Sequence, residues 1–239
     1  MKLKHALAGL ILGTALLLLS PIAMAAAAYA PKLVVTPAAP RSGIGGATVE
    51  LLGVIADDAT ARSVVYLPLG YRATSVAPGV EVGPARLTAV TTTGSVVTLA
   101  GTVTGANPAD YATNACTAAP ATVWLVTVKR SLLTIAIPLL VAPAPATATT
   151  FATSTITACW PVPGSAEAGG LRPLSLTFAL DASALTTPTV SGTYRWRALL
   201  TPYAAGTTTE NPAGAVESQS LVLLPAALRL SAKLVVPAA

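Results

Sequence analysis

From residue 174 to 181 the chain reads Leu-Ser-Leu-Thr-Phe-Ala-Leu-Asp, with a large apolar side chain at every second position. A half-buried strand requires that separation, because successive side chains of a strand point to opposite faces. Tyr194, Trp196 and Ala198 alternate in the same way with Arg195 and Arg197, as do Leu228, Leu230, Ala232 and Leu234 with Arg229, Ser231 and Lys233. Upstream, apolar runs of strand length lie between turn signals at residues 48–55, 63–69, 85–92, 96–103, 122–129 and 132–141. Residues 105–119 read as a loop with one helical turn, capped by Asn107 ahead of Pro108.

Composition strengthens the strand reading. Hydrophobic residues make up 53% of the 239, enough for a sizeable core, while 20 Pro and 18 Gly would interrupt helices repeatedly. Val and Thr, stiff at their first torsion, pack well on a pleated surface. The expected fold is all-β: an immunoglobulin-like β-sandwich, as one large or two small sandwiches, after an N-terminal signal helix.

The N-terminus has the three parts of a secretory signal: a positive start with Lys2 and Lys4, an apolar run over residues 6–19, and Ala23-Met24-Ala25 after the Ser20-Pro21 break. The expected organisation is a signal peptide at 1–25, an extended Ala/Pro leader at 26–42, a disulfide-bearing β-sandwich at 43–163 and an immunoglobulin-like β region at 164–239. A retained anchor is the alternative, because the apolar stretch from 7 to 28 is nearly long enough to span a bilayer. Either way the rest of the chain is placed outside the cytoplasm, secreted or at the cell surface. There Cys116 and Cys159 are expected to form a disulfide, and keeping both in one unit puts any domain boundary near residues 161–170. Lys32-Leu33-Val34-Val35 recurs as Lys233-Leu234-Val235-Val236, a match too short in a Val-rich chain to argue for a repeat.

Charge narrows the partners. Without Lys2 and Lys4, 12 Lys and Arg face 9 Asp and Glu, and no three basic residues are consecutive. Nucleic acid binding needs clustered cations to displace counterions, so it is not expected. His5 is the one histidine and leaves with the signal, which removes a Ser-His-Asp triad and histidine-ligated zinc; the expected disulfide removes cysteine ligation. No catalytic residue, cofactor or metal is therefore expected. Asp57-Asp58 could offer oxygens to calcium but reads first as an acidic turn. Trp124, Trp160 and Trp196 could form a sugar-stacking platform but read first as core.

Ser191-Gly192-Thr193-Tyr194-Arg195-Trp196-Arg197-Ala198, followed by Thr201-Pro202-Tyr203, resembles the penultimate strand of bacterial immunoglobulin-like modules. The resemblance covers about the last 50 residues of the folded part and implies a tyrosine corner, with the Tyr194 phenol bonding backbone upstream and Trp196 filling the core. It implies a fold and a surface location, not an activity. The expected function is a non-enzymatic structural or binding role at the cell surface or in the medium, with Arg195 and Arg197 as a possible ligand face for a cell-wall polymer or another surface protein. A carbohydrate-binding module is the alternative, and a carboxylate-dependent secreted hydrolase a remoter one. Contact with a membrane is expected only through an uncleaved signal segment.

Overall fold

The computed structural model describes residues 29–39, 42–113, 116 and 119–226. The expected signal peptide and the alternating segment at 228–234 lie outside the described residues. Strands follow the period-two pattern. They are β1 (Lys32–Pro37), β2 (Ala47–Leu52), β3 (Thr60–Pro68), β4 (Arg72–Ala73), β5 (Glu81–Val90), β6 (Val96–Ala106), β7 (Thr122–Arg130), β8 (Leu133–Pro143), β9 (Ala152–Cys159), β10 (Arg172–Leu180), β11 (Leu185–Thr186), β12 (Gly192–Pro202) and β13 (Val216–Leu224). The turn expected after Asn107 is a single 3-10 turn, Pro108–Tyr111, with the Ala109 N–H donating to Asn107 Oδ1 at 3.2 Å.

Eleven strands form one sheet in the order β1-β2-β10-β5-β6-β7-β8-β9-β3-β12-β13, and β4 pairs with β11. All neighbours in the large sheet are antiparallel, so with eleven strands the first and last run in the same direction. The sheet curls until these two edges meet. Leu33 N–H donates to Ser218 Oγ at 2.9 Å and Val35 N–H to Ser220 Oγ at 3.0 Å, two side-chain bonds where no backbone ladder runs.

The inward positions of all eleven strands fill one core, with Trp124, Phe178, Trp196 and Ile137 among its largest members. This is an all-β fold of sandwich or barrel type. Strands from 43–163 and from 164–239 interleave within it: β10 lies between β2 and β5, and β12 between β3 and β13. The two stretches therefore share one hydrophobic interior instead of enclosing one each. Lys32–Pro37, inside the stretch read as a leader, is a paired strand with Leu33 and Val35 buried. The segment 161–170 is a tight connection carrying the chain from β9 to β10, closed by Gly164 N–H to Leu171 O at 2.9 Å.

Cys116 and Cys159 are joined in a disulfide, with Cα atoms 6.0 Å apart. On β9, Ile156 and Ala158 belong to the core, so Cys159 points with Thr155 and Thr157 to the outer face. The bridge ties the connection between β6 and β7 to the outside of that wall.

Candidate functional site

The outer face of β12 carries Thr193, Arg195, Arg197 and Leu199, while Tyr194, Trp196, Ala198 and Leu200 face in or toward the core. The two arginines read together from the sequence have different surroundings. Arg197 lies opposite Tyr66 on β3, with its guanidinium carbon 4.4 Å from the centre of the Phe151 ring and its Nη1 3.7 Å from Glu217 Oε1. A cation over a ring face gains from the ring quadrupole, and here it also packs its flat surface on the ring. Phe151 in turn meets Tyr66 at 5.5 Å between centroids, tilted by 57°. Arg195 is exposed, opposite Leu221 on β13, and has no ion pair among the described residues. Tyr66 and Phe151 were missed as outer-face aromatics. Phe151 sits in the connection between β8 and β9, where no alternation marks a face, and only the tertiary pairing of β3 with β9 and β12 brings it to Arg197.

The Tyr194 hydroxyl donates to the Val190 carbonyl at 2.7 Å, four residues upstream. Its ring meets the edge of Tyr71 at 5.6 Å, and Tyr71 meets Trp196 at 4.8 Å. Tyr71 is fully buried, and burial pushes its hydroxyl pKa up. Trp124, Trp160 and Trp196 are all buried, so none offers a face to a sugar. The Trp160 indole N–H donates to Ser63 Oγ at 3.1 Å.

A cleft of about 500 Å³ lies where the turn after β2 meets Arg172 and the loop after β12; Ile55, Asp57, Asp58, Arg172, Tyr203 and Thr207 are among its walls. Two of these charged side chains, Asp57 and Arg172, are engaged with backbone. Asp57 is nearly buried, and its carboxylate accepts from Val54 N–H at 3.1 Å and Ala30 N–H at 3.4 Å. Arg172 donates to the Asp57 carbonyl at 3.0 Å and the Ile55 carbonyl at 2.7 Å. Asp57 thus holds its own turn closed, as aspartates do when the side chain bonds nearby backbone. Tyr203 donates to the Trp160 carbonyl at 2.8 Å. Tyr29, beside this turn, bonds Thr60 Oγ1 at 2.9 Å. Burial raises its pKa to about 12, the Thr60 bond opposes that rise, and the charges of Asp57 and Asp58 add to it.

Asp181 and Glu210 are also engaged, the first within its own turn and the second in an ion pair. Asp181 Oδ1 accepts from Ser183 N–H at 2.9 Å and Ser183 Oγ at 2.6 Å, and Glu210 pairs with Arg62 at 3.2 Å. Among the described residues no three His, Cys, Asp or Glu side chains gather in a way that could hold a metal ion.

Fold and site together define the class: an all-β protein whose large curled sheet is braced by a disulfide and by side chains that fasten its loops. No family model matches the chain, no curated protein matches it, and no solved structure matches it.

Proposed function

We propose that this chain is an exported, non-enzymatic β-scaffold with a structural or binding role at the cell surface or in the medium. One observation carries the reading: Asp57, Arg172, Asp181, Glu210 and Arg197 are each engaged with turn backbone, with an oppositely charged side chain or with a ring face. A catalytic carboxylate needs to be free to meet substrate, and these hold the loops of the sheet. The signal-like N-terminus and the disulfide both suit an oxidising compartment. The Tyr194 bond to Val190 supports the likeness to immunoglobulin-like surface modules, which rests on the residues around it.

Arg195 is the cation left for a ligand on the β12 face, and a cell-wall polymer carrying anionic groups is the ligand class that suits it. The test is co-sedimentation of residues 26–239 with insoluble wall polysaccharides. Saturable binding that Arg195→Ala removes, with the fold intact, supports the reading; binding that survives this change overturns Arg195 as the contact. Carbohydrate binding through aromatic stacking is a second reading, favoured by the half-buried outer pair Tyr66 and Phe151. In that case Phe151→Ala, not Arg195→Ala, abolishes sedimentation with neutral polysaccharide. Absence of binding to every polymer leaves the structural role.

A further inference from the structure

The strands of the large sheet alternate in direction, so one end of it carries the β2–β3, β9–β10 and β12–β13 connections together with the β7–β8 turn. The three connections, residues 53–59, 160–171 and 203–215, contain four acids, Asp57, Asp58, Glu167 and Glu210, and no Lys or Arg. Residues of all three line the cleft of about 500 Å³. Asp57 is engaged with its own turn and Glu210 with Arg62, whereas Asp58 and Glu167 are exposed and have no ion pair among the described residues. Burial raises the pKa of the Tyr203 hydroxyl in the cleft wall, and the charges of Glu210 and Glu167 add to that rise, which puts both acids beside the cleft. Arg172, the cation in the lining, is turned to the Asp57 and Ile55 carbonyls. Ile55, Val162 and Pro163 give the cleft apolar walls, and Ile55 is more than half exposed.

The β7–β8 turn has the opposite chemistry. Its two residues are Ser131 and Leu132, closed by the Arg130–Leu133 pair. Ser131 has a φ of 54°, in the left-handed region that glycine or asparagine adopts at less cost. Leu132 is 99% exposed, against 69% for Val190, the next among the exposed large apolar side chains. Chain reversal alone favours polar residues and glycine at such a tip. Lys129 and Arg130 precede the turn, both exposed and without an ion pair among the described residues. The hairpin is therefore a knob: a leucine in water with two cations at its base.

Knob and cleft stand on opposite sides of this end. In sheet order β7 and β8 are sixth and seventh, while the cleft is lined from the ends of β2 and β10, second and third, and of β3 and β12, ninth and tenth. The sheet closes between its first and last strands, so the middle of those four ends is the β1–β13 seam, half-way round from the β7–β8 turn. That separation keeps a chain's own knob out of its own cleft. A two-fold axis laid across the end turns the knob of one copy onto the cleft of another, and the second knob onto the first cleft.

We propose that two copies of this chain pair end to end, with Leu132 of each seated in the cleft of the other against Ile55 and Pro163, and with Lys129 and Arg130 facing Asp58 and Glu167. The apolar anchor is covered on both sides and the charges around it are complementary, which fixes the orientation of the pair. This goes beyond the scaffold reading and does not depend on Arg195 or on any polymer.

The test is sedimentation velocity of residues 26–239 over a range of concentrations, with the parent and two charge-reversed chains. One reverses the knob, Lys129→Glu with Arg130→Glu; the other reverses the cleft, Asp58→Lys with Glu167→Lys. All four side chains are exposed, so circular dichroism and urea midpoints are expected to match the parent. We expect the parent to dimerise as concentration rises and each reversed chain to stay monomeric over the same range. An equimolar mixture of the two should recover dimer, since each knob then meets a cleft of opposite sign. Leu132→Ser should weaken the parent dimer by about tenfold, the loss of one apolar anchor per contact. A parent that is monomeric at every concentration overturns the proposal. So does a dimer that survives either reversal, which places the contact elsewhere, and so does a mixture that stays monomeric. Species that grow beyond a dimer, as head-to-tail contact would build, overturn the two-fold arrangement. A chain that binds no wall polymer can still pass this test, so the two readings fail separately.

Discussion

Ser218 accepts the backbone N–H of Leu33 at 2.9 Å, across a seam where two strands of the same direction meet without a ladder. Exposed edge donors invite pairing with other chains, and a serine hydroxyl satisfies the donor without extending the sheet. Ser218→Ala and Ser220→Ala are each expected to cost about 1 kcal/mol, since the freed N–H groups of Leu33 and Val35 are only partly buried and regain some water. Urea midpoints measure the loss. Hydrogen exchange should show it confined to β1, with Leu33 and Val35 amides exchanging faster while β7 and β8 amides stay protected.

Two tyrosine hydroxyls make equivalent bonds in different surroundings, and removal should separate them. Tyr194 donates to an exposed carbonyl at Val190, which water can serve once the hydroxyl is gone. Tyr203 donates to the Trp160 carbonyl in a buried contact, where nothing replaces it. Tyr194→Phe is expected to cost about 0.5–1 kcal/mol and Tyr203→Phe about 1–3 kcal/mol. Equal costs in chemical denaturation would show that burial does not set the value of these bonds.

The Cys116–Cys159 bridge spans a sequence separation of 43. On the chain-entropy account a loop of that size stabilises by about 3–4 kcal/mol. Replacing both cysteines by serine should lower the unfolding free energy by that amount, read from denaturant curves of the two chains. Adding reductant should lower the parent to the level of the variant and leave the variant unchanged.

Strand faces were legible because alternation is a local property: Leu176 and Phe178 are buried, and Tyr194 and Trp196 face in while Arg195 faces out, as their spacing predicts. β1 was hidden by the Pro residues at its ends, Pro31 and Pro37, which read as an extended leader. β9 was hidden by its composition, since Ile156 is the only large aliphatic residue in Ala152–Cys159. Sheet order was not legible at all. That β10 enters between β2 and β5 depends on which edges meet, and pairing energy is distributed over many weak cross-strand contacts. For the same reason Arg197 could be placed on a face but not over Phe151, whereas the Asp57 turn was readable because its bonds run to neighbours such as Val54.

Tyr29 sets the expected response to alkali. Its hydroxyl titrates near 10.0 in the unfolded chain and near 12 in the fold, chiefly because burial disfavours the phenolate. Between those values the unfolded chain has lost the proton and the folded chain keeps it, so the unfolded state binds fewer protons and stability falls as pH rises. Below the unfolded value both states are protonated, and this contribution is fully present and independent of pH. Burial raises the Tyr71 and Tyr203 hydroxyls in the same direction, so all three steepen the loss. Urea midpoints taken from neutral pH upward should be flat to about pH 10 and then decline toward pH 12. Tyr29→Phe should start lower at neutral pH, through loss of the Thr60 bond, and decline less steeply through that window. A decline of unchanged slope in Tyr29→Phe would show that the alkaline loss comes from other groups.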